Sequence, residues 1–231
     1  MPEHRQPPLL RLLTVDIAGF VAEIRGELGA LGSPTTAAIR EVRQRFSRRL
    51  AAASAADVVA VALALVDVPG FAHRFVGYEL VAYHRAALAS LGEAELAALA
   101  RGMDSWEKVD TFGCYLAGPA WREGQVPDAM VHAWARSPDR WLRRAALVCT
   151  VALNIRARGG RGDAPRTLQV CEMLLRDRDD MVVKAMSWAL RALSTQDRAA
   201  AAGFLARHRA ELAPRVVREL TNKLQTGLKN P

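Results

Sequence analysis

The sequence predicts an all-α fold of stacked antiparallel helix pairs, and three observations carry that reading. Apolar residues recur at helical spacing almost throughout, while strand-like alternation is nearly absent. About half of the 231 residues are hydrophobic, chiefly Ala, Leu and Val, a composition suited to close-packed helices. The chain also repeats itself weakly at an interval of roughly two helices and two turns. At this length a single domain over residues 1–231, with a sizeable core, is expected.

The elements follow in order. Leu10 to Leu28 is expected as a first helix. Ser33-Pro34 signals the start of a second, with Ser33 as cap and Pro34 in the first turn; it carries Arg40, Arg43, Arg45, Arg48 and Arg49. Further helices are expected from Ala55 to Val66, Phe71 to Leu91 and Glu93 to Arg101, with Pro69-Gly70 separating the first two. Asp104-Ser105 opens the next, which Gly118-Pro119 ends or interrupts. Pro127 starts a helix through Trp134, and Ser137-Pro138-Asp139 turns into one from Trp141 to Ile155. Arg158-Gly159-Gly160-Arg161-Gly162-Asp163 is expected as a flexible linker; it lacks the strand before it and the Gly-Lys-Ser/Thr ending of a phosphate loop. Helices then run from Pro165 to Leu175, Asp180 to Leu193, Asp197 to Arg207 and Pro214 to Leu228.

The repeat gives the stacking mode. Asp139-x-Trp141-Leu142-Arg143-Arg144-Ala145 aligns with Asp179-x-Met181-Val182-Val183-Lys184-Ala185, and Asp104-x-Trp106 aligns with Asp139-x-Trp141. An Asp at a turn, then apolar residues, then a basic residue and Ala, is the pattern of a HEAT-like second helix. The expected architecture is therefore a HEAT-like α-α superhelix, a solenoid with one concave face.

Charge makes that face basic. Residues 1–50 carry 8 basic and 5 acidic side chains, residues 51–135 carry 5 and 10, and residues 136–231 carry 19 and 9. An acidic middle beside a strongly basic C-terminal part points to a polyanion partner rather than to uniform arginine enrichment. A concave basic surface suits a duplex. The longest apolar run, Val58 to Val66, is too short to span a bilayer, so no membrane partner is expected. No signal peptide is visible, and a soluble cytoplasmic protein is the expectation, a monomer given so short a solenoid. Cys114, Cys149 and Cys171 lie far apart in apolar helices and are expected as buried thiols. The five histidines have no metal-ligand spacing; neither a metal nor another cofactor is expected.

One constellation carries chemistry. Trp106 and Asp110 are four apart and share a helix face. Arg144 follows in Trp141-Leu142-Arg143-Arg144, and Trp188 lies in Trp188-x-Leu190-Arg191. Hairpins stacked in register bring these four residues to one cleft. A carboxylate there stabilises the oxocarbenium-like sugar formed when a base leaves deoxyribose. Indole faces attract cations, and an arginine fork grips phosphate. Trp121, Trp134 and Trp141 are expected to serve packing.

These pieces, over about residues 100–195, resemble the AlkD family of bacterial DNA glycosylases. The resemblance implies HEAT-like repeats and removal of cationic N3- and N7-alkylated purines from duplex DNA. It places the catalytic Asp on Asp110, the lesion-facing tryptophans on Trp106 and Trp188, and the phosphate-gripping arginine on Arg144. Arg140, Arg143, Lys184, Arg191 and Arg218 are candidates for wider backbone contact. The stretch Thr111 to Pro119, with two glycines and a proline, departs from the more regular helix of that family. Two other readings use the same fold: a protein that binds unusual DNA structures without excising bases, and a HEAT scaffold for another protein.

Overall fold

In the computed structural model, which describes residues 15–231, all regular structure is helical and the described residues hold no strand. The helices form the two layers of a HEAT-like α-solenoid. One layer contains α1 (Ile17–Ala30), α3 (Ala55–Val66), α5 (Arg85–Ala89), α6 (Glu93–Ala100), α9 (Asp128–Ala135), α11 (Ala164–Met173) and α13 (Arg198–His208). The other contains α2 (Thr36–Arg49), α4 (Phe71–Ala82), α7 (Trp106–Phe112), α8 (Gly118–Arg122), α10 (Arg140–Asn154), α12 (Asp180–Leu193) and α14 (Pro214–Thr226). In this second layer α2, α4, α7, α10, α12 and α14 pack one on the next, which makes it a continuous wall. The core runs between the layers from Ile24 to Leu220.

Local chemistry explains most starts. Asp16, Ser54, Asp163 and Asp197 each accept a hydrogen bond from a backbone N–H at the head of the helix that follows. The first helix begins at Ile17; the residues expected to extend it back to Leu10 include some outside the described residues. The cap of α2 is Thr35 rather than Ser33, because the Thr35 hydroxyl accepts from Ala38 N–H and leaves Pro34 ahead of the helix. The helix expected from Phe71 to Leu91 breaks at Tyr83-His84, where the His84 ring accepts from Ala87 N–H and starts α5. The longer of the two repeat alignments is visible atom for atom. Asp139 accepts from Trp141 N–H and Asp179 from Met181 N–H, at 2.8 and 2.9 Å. Asp104 breaks the series: it pairs with Lys108, and Ser105 takes the cap position.

Gly118-Pro119 does not end its helix. A proline inside a helix has no N–H to donate, and its ring presses on the carbonyl four residues back. A π-helical turn, Gly113–Ala117, comes immediately before and widens the spiral, with Gly118 N–H donating to Gly113 C=O. The two glycines let α10 approach. A Cβ on Gly113 would lie 2.8 Å from Val148 Cγ1, and one on Gly118 2.6 Å from Ala152 Cβ and 2.8 Å from the Cys149 carbonyl oxygen. Backbone oxygens cannot rotate aside. Gly118→Ala is therefore expected to cost about 3 kcal/mol, the upper end for overpacking. A urea midpoint equal to wild type would show that this contact is not the constraint.

The segment expected as a flexible linker is instead a hydrogen-bonded turn. A 3-10 turn, Arg156–Arg158, leads into Gly159 with φ 79°. Gly160 N–H donates to Ile155 C=O and Gly162 N–H to Leu153 C=O. Arg122 holds the Arg158 carbonyl, and Asp163 then caps α11. Three glycines fit this turn because Gly159 and Gly162 have positive φ and a Cβ on Gly160 would strike the Leu153 carbonyl at 2.7 Å.

Candidate carboxylate site and nucleic-acid interface

Asp110 lies one turn into α7 and faces α10. Arg144, from the second turn of α10, grips it with two parallel bonds, Nε to Oδ1 and Nη2 to Oδ2, both 2.8 Å. Both carboxylate oxygens act as acceptors, which is the arrangement of the ionised acid. Arg144 Nη1 also donates to the Met181 carbonyl at the head of α12. One side chain thus ties α7, α10 and α12 together. Burial pushes the Asp110 carboxyl above its usual range; the Arg144 bonds and charge pull against that, and Glu107 adds to the rise.

The four residues of the expected constellation are not equally placed. Asp110 and Arg144 are in direct contact. Trp106, one turn before Asp110, is 52% exposed, which is unusual for so large an apolar side chain. Arg144 keeps only 6% of its side chain in solvent, and its bonds point inward at Asp110 and Met181. Trp188 lies seven residues beyond Met181, about 10 Å further along α12 by helical rise. There it lines a cleft of about 470 Å³ with Cys114, Tyr115, Pro119 and Arg158. Cys114 is one turn after Asp110, so this cleft continues the wall on which the carboxylate sits.

The remaining cationic candidates divide by exposure. Arg140 is half-exposed, stacked on Trp141 and 3.7 Å from Asp179. Lys184 is partly exposed and forms an i,i+4 pair with Asp180. Arg218 is exposed in a separate cleft beside Arg209, at the end of the solenoid. Arg191 is largely buried, donates to Ser187 Oγ and lies 3.8 Å from Glu219; burial draws its pKa below the usual arginine value and Glu219 opposes this. Arg143 is directed inward: Nε donates to Asp177 at 2.7 Å, and Nη1 to the Ser137 and Pro138 carbonyls. It joins successive repeats, where Arg140 and Lys184 reach solvent.

Several residues at this wall carried little signal in the sequence. Glu79 of α4 is fully buried, and both Arg40 and Arg43 donate to it at 3.0 Å. Its only mark was a lone acid inside an apolar run, facing two arginines spaced i,i+3 on α2. Tyr115 accepts from Arg40 and lies under the Arg158 guanidinium at 4.1 Å; the Arg43 guanidinium lies over Tyr83 at 4.2 Å. Nothing in the spacing of Tyr83, Tyr115 and Arg158 indicated that they meet. The other three tryptophans pack: Trp121 is fully buried with its N–H on Asp128, Trp134 lies against Phe112, and Trp141 packs on the core.

Cys114, Cys149 and Cys171 are buried and free. Burial pushes the Cys114 thiol up to about 12 and raises the other two as well, so none is a ready nucleophile. Among the described residues no group of three His, Cys, Asp or Glu side chains is arranged to hold a metal, and no helix is long and apolar enough to cross a membrane.

A family model described as DNA alkylation repair enzyme matches residues 24–224. No curated protein matches the chain. The family match begins within α1 and ends within α14, so it takes in the part of the wall on which Asp110, Arg144 and Trp188 lie. On that extent the chain belongs to the DNA alkylation repair enzyme family, and its substrate is DNA carrying alkyl damage.

Proposed function

We propose that the protein is a monofunctional DNA glycosylase that releases cationic N3- and N7-alkylated purines from duplex DNA. The observation that carries the proposal is the partly buried Asp110 carboxylate, held by Arg144 beside the exposed Trp106. An alkylated purine already bears positive charge, so it leaves as a neutral base without a protonating acid. The C1′–N bond breaks with its electron pair going to the base, and positive charge moves to the sugar. Asp110 stabilises that cation electrostatically. Water then adds to C1′ and gives up a proton. Trp106 packs on the lesion nucleotide and Arg140 and Lys184 hold flanking phosphates. Arg144 aims the carboxylate. Trp188 continues the nucleotide-binding surface beyond Asp110. The lysine nearest Asp110 in sequence, Lys108, is paired with Asp104, so strand cleavage through a Schiff base is not expected.

The direct test is release of 7-methylguanine or 3-methyladenine from methylated duplex. One observation favours the second reading, binding without chemistry: both Asp110 oxygens already accept from Arg144, which neutralises much of the charge a sugar cation would feel. That reading predicts salt-sensitive duplex binding and no free base.

The pH profile offers a further check. The sugar cation needs ionised Asp110, and burial raises the carboxyl pKa. Release is therefore expected to fall as pH drops through a midpoint above the ordinary Asp range. An acid limb at or below that range would mean that another group limits the reaction.

A further inference from the structure

Trp188 is a ridge between two clefts. On one side it shares walls with Tyr83, Tyr115 and Arg158; on the other with Arg156, Arg191 and Lys223, in a cleft of about 520 Å³. Ile155 lines both. The first side is aromatic, and its tyrosines are held in place. Arg40 donates to the Tyr115 hydroxyl, Arg158 covers one Tyr115 face, and Arg43 stacks on Tyr83, which is still 59% exposed. The second side is cationic. Among the described residues Arg156 and Lys223 make no ion pair, no acid lines this cleft, and Glu219, 3.8 Å from Arg191, is shared with Lys229 and Ser187. Arg156 and Arg158 both come from the short turn after α10, one side chain to each cleft.

We propose that these paired clefts bind one unstacked nucleotide with an uncharged base, the base in the aromatic cleft and its phosphate in the basic one. Each cleft has the size usual for small-ligand sites. Aromatic rings and arginine planes are the surfaces on which unstacked bases rest, and they accept any base because every base has a π-face. Charge disfavours the cationic lesion as occupant: Arg158, which makes no ion pair among the described residues, lies over Tyr115 in this cleft and repels an alkylated purine relative to a neutral base. The occupant is therefore an undamaged nucleotide displaced from the duplex beside Asp110, not the base being removed. This inference rests on the DNA reading above.

The test compares two duplexes of equal length at fixed salt, one fully paired and one with a single unpaired thymidine. Wild type is expected to prefer the bulged duplex by about tenfold, the range of one base–aromatic stack. Arg156→Ala with Arg158→Ala will weaken binding to both duplexes, but the preference will fall close to one. Trp188→Ala is expected to do the same, and Trp188→Phe to retain the preference. Replacing the unpaired thymidine by 5-iodouracil is expected to give a photo-crosslink at Trp188 or Tyr115. A wild-type ratio of one, or a ratio unchanged in the variants, overturns the paired-cleft proposal while leaving duplex binding intact. A crosslink confined to Trp106 overturns it as well. Failure to bind either duplex overturns the DNA reading and this proposal with it.

Discussion

Asp110→Asn is expected to lower release of 7-methylguanine by about a hundred- to a thousandfold, the cost of removing one preorganised electrostatic group from a transition state. The amide keeps the size of the side chain but not its charge, so the sugar cation loses its counter-ion. Arg144 also loses its partner, since the new NH2 group meets a guanidinium donor where Oδ1 or Oδ2 accepted. Some loss of stability is expected, and the assay must separate it from chemistry. DNA affinity does so. Removing a negative charge from a polyanion-binding wall leaves duplex binding equal or tighter. The signature is therefore a lower turnover rate with undiminished affinity and a cooperative thermal transition. Equal, slow release by wild type and variant would remove Asp110 from the chemistry and leave a DNA-binding protein.

The sequence made some of this site legible and hid the rest for identifiable reasons. Asp139 and Asp179 were readable because a cap and its helix are neighbours in the chain, and they cap identically. That Asp110 and Arg144 meet was readable because adjacent helices of one wall face each other, but Arg144 was expected to grip phosphate and instead holds the carboxylate. The register of Trp188 was not. It depends on how far α12 slides along α10, which the Arg144–Met181 contact fixes and no spacing within either helix reveals. The break at Tyr83-His84 was hidden because neither glycine nor proline marks it; a histidine ring does the capping. Gly113, Gly118 and Pro119 were conspicuous as an irregularity. Their meaning, a π turn that admits Pro119 and two gaps that admit α10, needed the neighbouring helix. Arg156 and Arg158 were obscured by the glycines that follow them, since a glycine-rich turn and a linker have the same composition.

Arg144→Ala is expected to be the most destabilising single change at the site, by about 3 kcal/mol, and to lower the thermal midpoint by roughly 6–12 °C. Removing one partner of a buried pair leaves the other charge without compensation. The value sits at the low end of the range for such pairs because Asp110 keeps 18% of its side chain in solvent. The loss also has a pH signature. In wild type the folded Asp110 carboxyl already lies above its unfolded value, with Arg144 pulling it down. Without Arg144 it rises further. A raised folded pKa gives stability that is present at low pH and disappears as pH rises through that pKa. The variant is therefore expected to be weakest relative to wild type at neutral pH and to recover ground as acid protonates Asp110. The double variant Asp110→Leu with Arg144→Met provides the control. It removes both charges and fills the space with apolar atoms, so its stability should lie near wild type even though each loss alone is costly. A double variant as unstable as the sum of the singles would mean that Arg144 acts through the Met181 carbonyl and the packing of α12, not through Asp110.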